Sequence, residues 1–214
     1  MGAALAALLA MALYAPTLGH DFVYDDHLAI VANPAVQTGA PALIVTSNFW
    51  GPTEADRIAT WRPAVTATFA ADVALADALA PGHSAAWMHG LNVLIFAALC
   101  AALWSLCHAL GASPGAATAA ALLLAFHPAA SEACVWLVAR ADLMLALFGL
   151  LYLRAHVRDR HGAALGWLAL ALLSKETALV LPAVAALWKV ARARHGGERL
   201  NWRPWAGVAV AVGA

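Results

Sequence analysis

The side chains best suited to chemistry lie beside long apolar segments. Two adjacent carboxylates, Asp25 and Asp26, follow the aromatic residues Phe22 and Tyr24. Such a pair has oxygen ligands for a divalent cation, or one carboxylate with a raised pKa could act as a general base. The alternative is that both acids simply meet water, and no motif is strong enough to name a metal ion.

Further polar residues are spaced so that they share helix faces. His89 and Asn92 are three residues apart and therefore lie on one face of a helix. With His127 and Glu132 they could form a polar lining inside a helix bundle. A lone histidine within a membrane helix is nevertheless more often a satisfied core residue than a ligand.

Arg140, Asp142, Lys175 and Glu176 are the remaining candidates. Arg140 and Asp142 are two residues apart, about 200° around a helix, so they need not pair with each other. The arginine suits either a structural ion pair or a phosphate clamp. Lys175 and Glu176 interrupt an apolar stretch with almost no loop, and ionisable groups at such places mark functional sites by default.

The composition predicts an all-α polytopic membrane protein. Of the 214 residues, 64% are hydrophobic and 11% are charged, and none between Ala78 and Ser131 is Asp, Glu, Lys or Arg. That run is long enough for two transmembrane helices joined by a turn at 111–115. The formal net charge is zero, which gives no reason to expect a nucleic-acid partner.

We predict six spanning helices and the start of a seventh, at about 2–19, 84–110, 116–134, 141–154, 162–174, 177–190 and 204–214. The first could be a signal peptide, but it lacks Lys and Arg, which favours a retained helix. His127-Pro128 interrupts the third after some 12 residues, which indicates either a kink or an indentation around a cavity. The chain ends within an apolar run, so we expect a longer protein.

Residues 20–83 form a long loop that is expected to carry short helices on or near the membrane surface. Asp72 and Asp77 in this loop are expected simply to meet water. With the N-terminus in the cytoplasm, the inner segments hold eight basic residues and the outer segments four, in agreement with the positive-inside rule. The candidate residues then gather at the non-cytoplasmic face.

Taken together, the candidate residues and the motifs around them resemble those of the transmembrane, tetratricopeptide-repeat-containing protein O-mannosyltransferases, which have the C-type glycosyltransferase fold. The matching stretches are Phe22-Val23-Tyr24-Asp25-Asp26, Asn33-Pro34 with Val36, Phe49-Trp50-Gly51, Trp61-Arg62-Pro63, His89-x-x-Asn92, Phe126-His127-Pro128, Glu132, Arg140-Ala141-Asp142 and Lys175-Glu176. The chain departs from the family where Trp61 replaces a Tyr, and where Phe96 and Ala130 replace histidines. These losses weaken a histidine-rich metal site but leave the acidic loop intact.

The resemblance implies a membrane enzyme that moves a sugar, mannose in this family, from a polyprenyl-phosphate carrier to a protein hydroxyl on the non-cytoplasmic side, with inversion. Asp25 would be the base or would orient the acceptor, with Asp26 as its alternate. Arg62, Arg140 and Lys175 would hold the lipid phosphate. The other substrate-binding candidates are His89, Asn92, His127, Glu132, Asp142 and Glu176.

Two other interpretations of the function remain open. One is a catalytically inactive membrane anchor or scaffold for a C-terminal repeat domain. The other is a secondary transporter, which the absence of internal repeats makes less favourable. The alanine-rich composition and the lack of Asn-glycosylation triplets point to a bacterial inner membrane.

Overall fold

The computed structural model describes residues 1–51 and 60–196, and in this part the chain is a bundle of α-helices without β-strands. The helices are α1 Gly2–Tyr14, α2 Pro34–Thr38, α3 Pro41–Thr46, α4 Pro63–Leu79, α5 Ser84–Ala109, α6 Pro114–Phe126, α7 Pro128–Val135, α8 Arg140–Val157, α9 His161–Ser174 and α10 Leu181–Gly196. Short 3₁₀ turns follow α1 at Ala15–Gly19 and precede α8 and α10 at Leu137–Ala139 and Glu176–Val180, and a π-turn covers His27–Val31.

Proline determines where many of these helices begin. Its missing N–H is unneeded at the first helical position, and its fixed φ is already helical. Five helices start in this way, at Pro34, Pro41, Pro63, Pro114 and Pro128. Side chains of Asn33, Ser113 and His127 also accept hydrogen bonds from the first turns of α2, α6 and α7, so these boundaries are encoded locally.

The central helix is α5, which packs against α1, α6 and α8. It runs antiparallel to α1, because Tyr14 packs edge-on to Phe96 at 5.2 Å while Gly2 lies beside Trp104. It runs in the same direction as α8, since Asn92 bonds to Arg140 near the start of both helices. We call the end where α1 finishes and α5 and α8 begin the loop end, and the opposite end the turn end.

The third predicted helix is two helices in the structure. α6 and α7 meet at His127 with a bend of 63°, because the extended backbone at His127 and the following proline end the first helix. The imidazole Nδ1 of His127 accepts the N–H of Ala129, which starts α7 in a new direction. The sequence left open a kink or an indentation around a cavity, and the structure shows a bend of 63° at this position.

Residues 20–83 are folded onto the bundle. Ile30, Phe49 and Phe69 are fully buried in one cluster with Met88 of α5 and Leu137 before α8. Helix α4 has 17 residues and packs on α5, so it is longer and more buried than the surface helices expected there. This segment therefore forms part of the core at the loop end.

Helices α8 and α9 pack side by side, and the chain then turns into α10 through an extended Lys175. A methyl group on Gly149 would lie 3.1 Å from Leu181, so the absence of a side chain allows α10 to approach α8. α10 begins at Leu181, whereas the sequence predicts 177–190 for this helix. The predicted seventh helix at 204–214 lies outside the described residues.

Within residues 1–51 and 60–196, two segments are long and apolar enough to cross a membrane, Gly2–Gly19 and Ser84–Ala109. The bent pair Pro114–Phe126 and Pro128–Val135 makes a third if it counts as one span. The helix His161–Ser174 is apolar but shorter. The chain is therefore a helical membrane protein, and six spans remain a prediction.

Candidate active site

A cavity of about 820 Å³ opens at the loop end of the bundle. It is lined by the segment after α1, by α5 and by the end of α7, through His20, Asp21, Val23, Tyr24, Asp25, His89, Glu132, Val135 and Trp136. Three carboxylates, two imidazoles and two aromatic rings therefore surround one space. Of the residues predicted for the site, this cavity brings together Asp25, His89 and Glu132.

The two adjacent acids have different surroundings. Asp25 is half-buried and lines the cavity. Asp26 is only 1% exposed, and its two carboxylate oxygens accept the N–H groups of Val23, at 3.0 Å, and Val138, at 3.1 Å. Burial raises the pKa of Asp26, and these two hydrogen bonds partly offset the effect. Asp26 thus connects the segment 21–26 by a hydrogen bond to Val138, in the turn that precedes α8.

Tyr24, immediately before the two acids, has a left-handed backbone conformation. Its φ of 48° lies in the left-handed region, which a residue with a Cβ enters at a cost of about 1–2 kcal/mol. Asp25 lies two residues before the π-turn, and its carbonyl oxygen accepts the N–H groups of Leu28 and Ala29. Because the two carboxylates point to different surroundings, they do not form the two arms of one cation site.

His89 and Asn92 share a face of α5 but make different contacts. His89 is 2% exposed and lies edge-on to His20 at 5.8 Å. In the part of the chain that the structure describes, neither of its ring nitrogens has a hydrogen-bond partner. Asn92 is fully buried, and its amide oxygen accepts from Nε of Arg140 at 2.7 Å. His89 therefore belongs to the cavity wall, whereas Asn92 belongs to the core beneath it.

Arg140 is enclosed rather than open to a ligand. It has no exposed surface and donates to Asn92, Thr68, Asp72 and the carbonyl of Met88. Its guanidinium also stacks over the ring of Phe69 at 4.3 Å. These contacts join α4, α5 and α8, so a lipid phosphate could reach this arginine only by displacing buried partners.

The expectation that Asp72 simply meets water is wrong. Its carboxylate is 2.7 Å from Nη1 of Arg140 and the residue is 4% exposed. The pattern that could have revealed it is the helical spacing of Val65, Phe69, Asp72 and Ala76, all of which are buried. Arg140 and Asp142 do not pair with each other, which agrees with the expectation that two residues about 200° apart around a helix need not pair.

Two half-exposed ion pairs lie where α8 begins and α9 ends. Lys175 bonds to Asp142 in the first turn of α8 at 2.5 Å. Its neighbour Glu176 accepts two hydrogen bonds from Arg62, at 3.1 and 3.4 Å. Burial opposes the charge of Glu176, but the guanidinium of Arg62 more than compensates, so the pKa of Glu176 is lowered.

These ion pairs account for four predicted site residues, although none of the four lines the cavity. The extended backbone of Lys175 turns adjacent side chains towards two different helices. Arg62 and Lys175 keep side-chain exposures of 11% and 21%. Unlike Arg140, they are cations that an anion could reach.

His127 is exposed and caps α7, outside the cavity lining. Sequence reasoning did not identify Trp136 or His20, which line the cavity because the bend at His127 brings α7 towards the segment after α1. Among residues 1–51 and 60–196, no three His, Cys, Asp or Glu side chains are arranged to hold a metal ion.

The fold and site define a helical membrane protein with a carboxylate-lined cavity at one end of its bundle. The chain is similar to Drosophila melanogaster Protein O-mannosyl-transferase Tmtc2, with 38% identity over 88% of this chain and 21% of the relative. It is 37% identical to Drosophila melanogaster Protein O-mannosyl-transferase Tmtc1, over 80% of this chain and 20% of the relative. Human Protein O-mannosyl-transferase TMTC1 is 33% identical, over 75% of this chain and 19% of its own length.

The chain belongs to the TMTC family of protein O-mannosyl-transferases. It spans about a fifth of the length of these curated relatives. No family model and no solved structure matches it. All three relatives are named as protein O-mannosyl-transferases.

Proposed function

We propose that this chain forms the N-terminal membrane part of an enzyme that transfers mannose from a polyprenyl-phosphate carrier to a protein hydroxyl. The observation that carries the proposal is the cavity at the loop end, where Asp25, Glu132 and His89 meet in a member of a family named for O-mannosyl transfer. A space of about 820 Å³ lies within the usual size range of ligand sites.

Asp25 is the proposed general base. It accepts the proton of the acceptor hydroxyl while that oxygen forms a bond to the anomeric carbon and the bond to the carrier phosphate breaks. The electron pair of the broken bond remains on the phosphate. Asp25 suits this role better than Asp26, because both oxygens of Asp26 are already occupied by backbone N–H groups.

Arg62 and Lys175 are the proposed partners of the leaving phosphate. Both lie at the loop end and retain exposed surface, while their present partners, Glu176 and Asp142, are half-exposed carboxylates that can turn towards water. A phosphate with two negative charges would compete well for such cations. Arg140 instead positions α4, α5 and α8 beneath the cavity.

The proposed location is a multi-pass arrangement in a bacterial inner membrane, with the loop end on the non-cytoplasmic side. The distribution of basic residues supports this orientation, since Arg154, Arg158 and Arg160 lie near the opposite end of α8 from Asp142.

Replacing the cavity carboxylates tests the function. Asp25→Asn should reduce mannose transfer from polyprenyl-phosphate mannose to an acceptor peptide by about 100-fold or more, since a general base contributes 10²–10⁴-fold. Glu132→Gln should reduce mannose transfer less than Asp25→Asn does, because Glu132 is proposed to contact the sugar and not to accept the proton. Asp77→Asn is the matched control, because Asp77 is an exposed acid of α4 outside the cavity.

The assay uses the protein in its own membranes. Full transfer activity in Asp25→Asn would remove the proposed mechanism. If the wild-type protein shows no transfer activity, and if Asp25 and Glu132 can be replaced without effect in cells, the catalytically inactive membrane anchor is favoured instead.

A further inference from the structure

The turn end of the bundle carries a cluster of basic side chains that sugar transfer does not use. Arg154, Arg158 and Arg160 lie within the last turn of α8 and the short connection to α9. Among the described residues, none of these three arginines has a carboxylate within 4 Å, although Asp159 stands between two of them in the chain. Mutual repulsion in such a cluster is relieved when an anion binds.

The positive charge is reinforced by neighbouring elements. α9 begins at His161 with no acidic residue in its first turn and no side chain capping its N–H groups, so the positive end of its dipole faces the same connection. Lys189 of α10 lies close enough to act electrostatically on His156, and so does His161. The turn end therefore presents positive charge from the end of α8 and from the start of α9.

An apolar cleft adjoins this cluster. It has a volume of about 200 Å³ and lies between the last turns of α5 and α8 and the middle of α10. Its apolar lining residues are Leu106, Leu110, Leu153, Val157, Val184, Ala185 and Trp188. Leu153 and Val157 immediately precede Arg154 and Arg158 in the chain, so apolar and basic surfaces meet within one helical turn.

We propose that this surface binds an anionic phospholipid, with the headgroup phosphate on the arginines and the beginning of an acyl chain in the cleft. Basic pockets between membrane helices are suited to such headgroups. A free phosphate would use the arginines but not the apolar cleft. The site is separate from the cavity at the loop end, and its occupation does not depend on sugar transfer.

Trp188 provides a probe inside the cleft, because lipids with brominated acyl chains quench indole fluorescence on contact. The full chain is reconstituted in phosphatidylcholine bilayers that contain equal fractions of either brominated phosphatidylglycerol or brominated phosphatidylcholine. The difference between the wild type and Trp188→Phe isolates the signal of Trp188 from that of the other tryptophans. We expect the anionic lipid to quench this signal more strongly than the zwitterionic lipid.

Charge variants then locate the headgroup. Arg158→Gln with Arg160→Gln should lower the relative affinity for phosphatidylglycerol about fivefold per arginine. The pair Arg158→Lys and Arg160→Lys should retain most of the preference. Arg194→Gln is the matched control, since Arg194 is an exposed basic residue of α10 that does not line the cleft.

Equal quenching of the Trp188 signal by both lipids would overturn the proposal. A preference that persists in the double glutamine variant would also overturn it. If inorganic phosphate at millimolar concentration abolishes the preference, the arginines bind a free anion and the lipid assignment fails.

Discussion

At the residue scale, the adjacent acids Asp25 and Asp26 have different roles, which their positions in the sequence do not reveal. Asp25 faces the cavity, whereas Asp26 is buried and accepts two backbone N–H groups. A strained turn at Tyr24 precedes the two acids. Such strain is maintained where the surrounding contacts hold it, and the bonds of Asp26 to Val23 and Val138 supply those contacts.

We therefore predict that replacing Asp26 lowers the stability of the protein, whereas replacing Asp25 hardly changes it. Asp26→Ala leaves two N–H groups without an acceptor and should lower the free energy of unfolding by about 1–3 kcal/mol. Asp25→Ala should change it by less than about 0.5 kcal/mol, because its carboxylate faces the cavity. Unfolding of the reconstituted protein by increasing mole fractions of a denaturing detergent measures both. Equal stability of wild type and Asp26→Ala would contradict the proposed connecting role.

At the element scale, one arginine side chain joins three helices. Arg140 of α8 bonds to Thr68 and Asp72 of α4 and to Asn92 of α5. A buried guanidinium is tolerated only when its N–H groups and charge are satisfied, and these partners satisfy them. Helix α4, which belongs to the long segment between the first two spans, is thereby fixed against the start of α5 and α8.

Removal of the acidic partner should be far more harmful than removal of an exposed acid on the same helix. Asp72→Ala leaves Arg140 buried without its counter-charge and should destabilise the protein by about 3–5 kcal/mol. Asp77→Ala, one and a half turns along α4 and exposed, should cost less than about 0.5 kcal/mol. The same detergent titration compares them, and a similar small effect of both changes would contradict the structural role of this ion pair.

At the scale of the whole molecule, the helix directions separate two chemically different ends. The loop end holds the cavity and the two half-exposed ion pairs, and the turn end holds the arginine cluster and the apolar cleft. A membrane protein with this distribution is expected to place the arginines in the cytoplasm. The orientation is thus linked to both the transfer proposal and the lipid proposal.

Labelling from one side of the membrane tests the orientation. After replacement of Cys100, Cys107 and Cys134 by alanine, single cysteines are introduced at the exposed positions Ala42 in α3 and Gly162 in α9. A membrane-impermeant maleimide added to intact cells should label the cysteine at 42 and reach the one at 162 only after permeabilisation. The reverse pattern would place the cavity in the cytoplasm and contradict the proposed orientation.

The sequence by itself determined the helical membrane class, the break at His127-Pro128 and the family. These features depend on local composition: charge-free apolar runs, prolines at helix starts and motifs in a characteristic order. It also identified Asp25, His89 and Glu132, which meet in one cavity. Ionisable residues beside apolar segments are expensive to maintain without a purpose, which makes them visible in sequence.

Only the tertiary structure decided which of these residues are exposed to a ligand and which are enclosed. Arg140 is of the chemical type that holds phosphate, but α4 packs over it and supplies Asp72 from 68 residues earlier in the chain. Trp136 reaches the cavity wall only because α7 departs from α6 at 63°. Such partners are set by how distant helices pack. The spacing of residues along α4 can indicate that Asp72 is buried, but it cannot indicate that Arg140 is its partner.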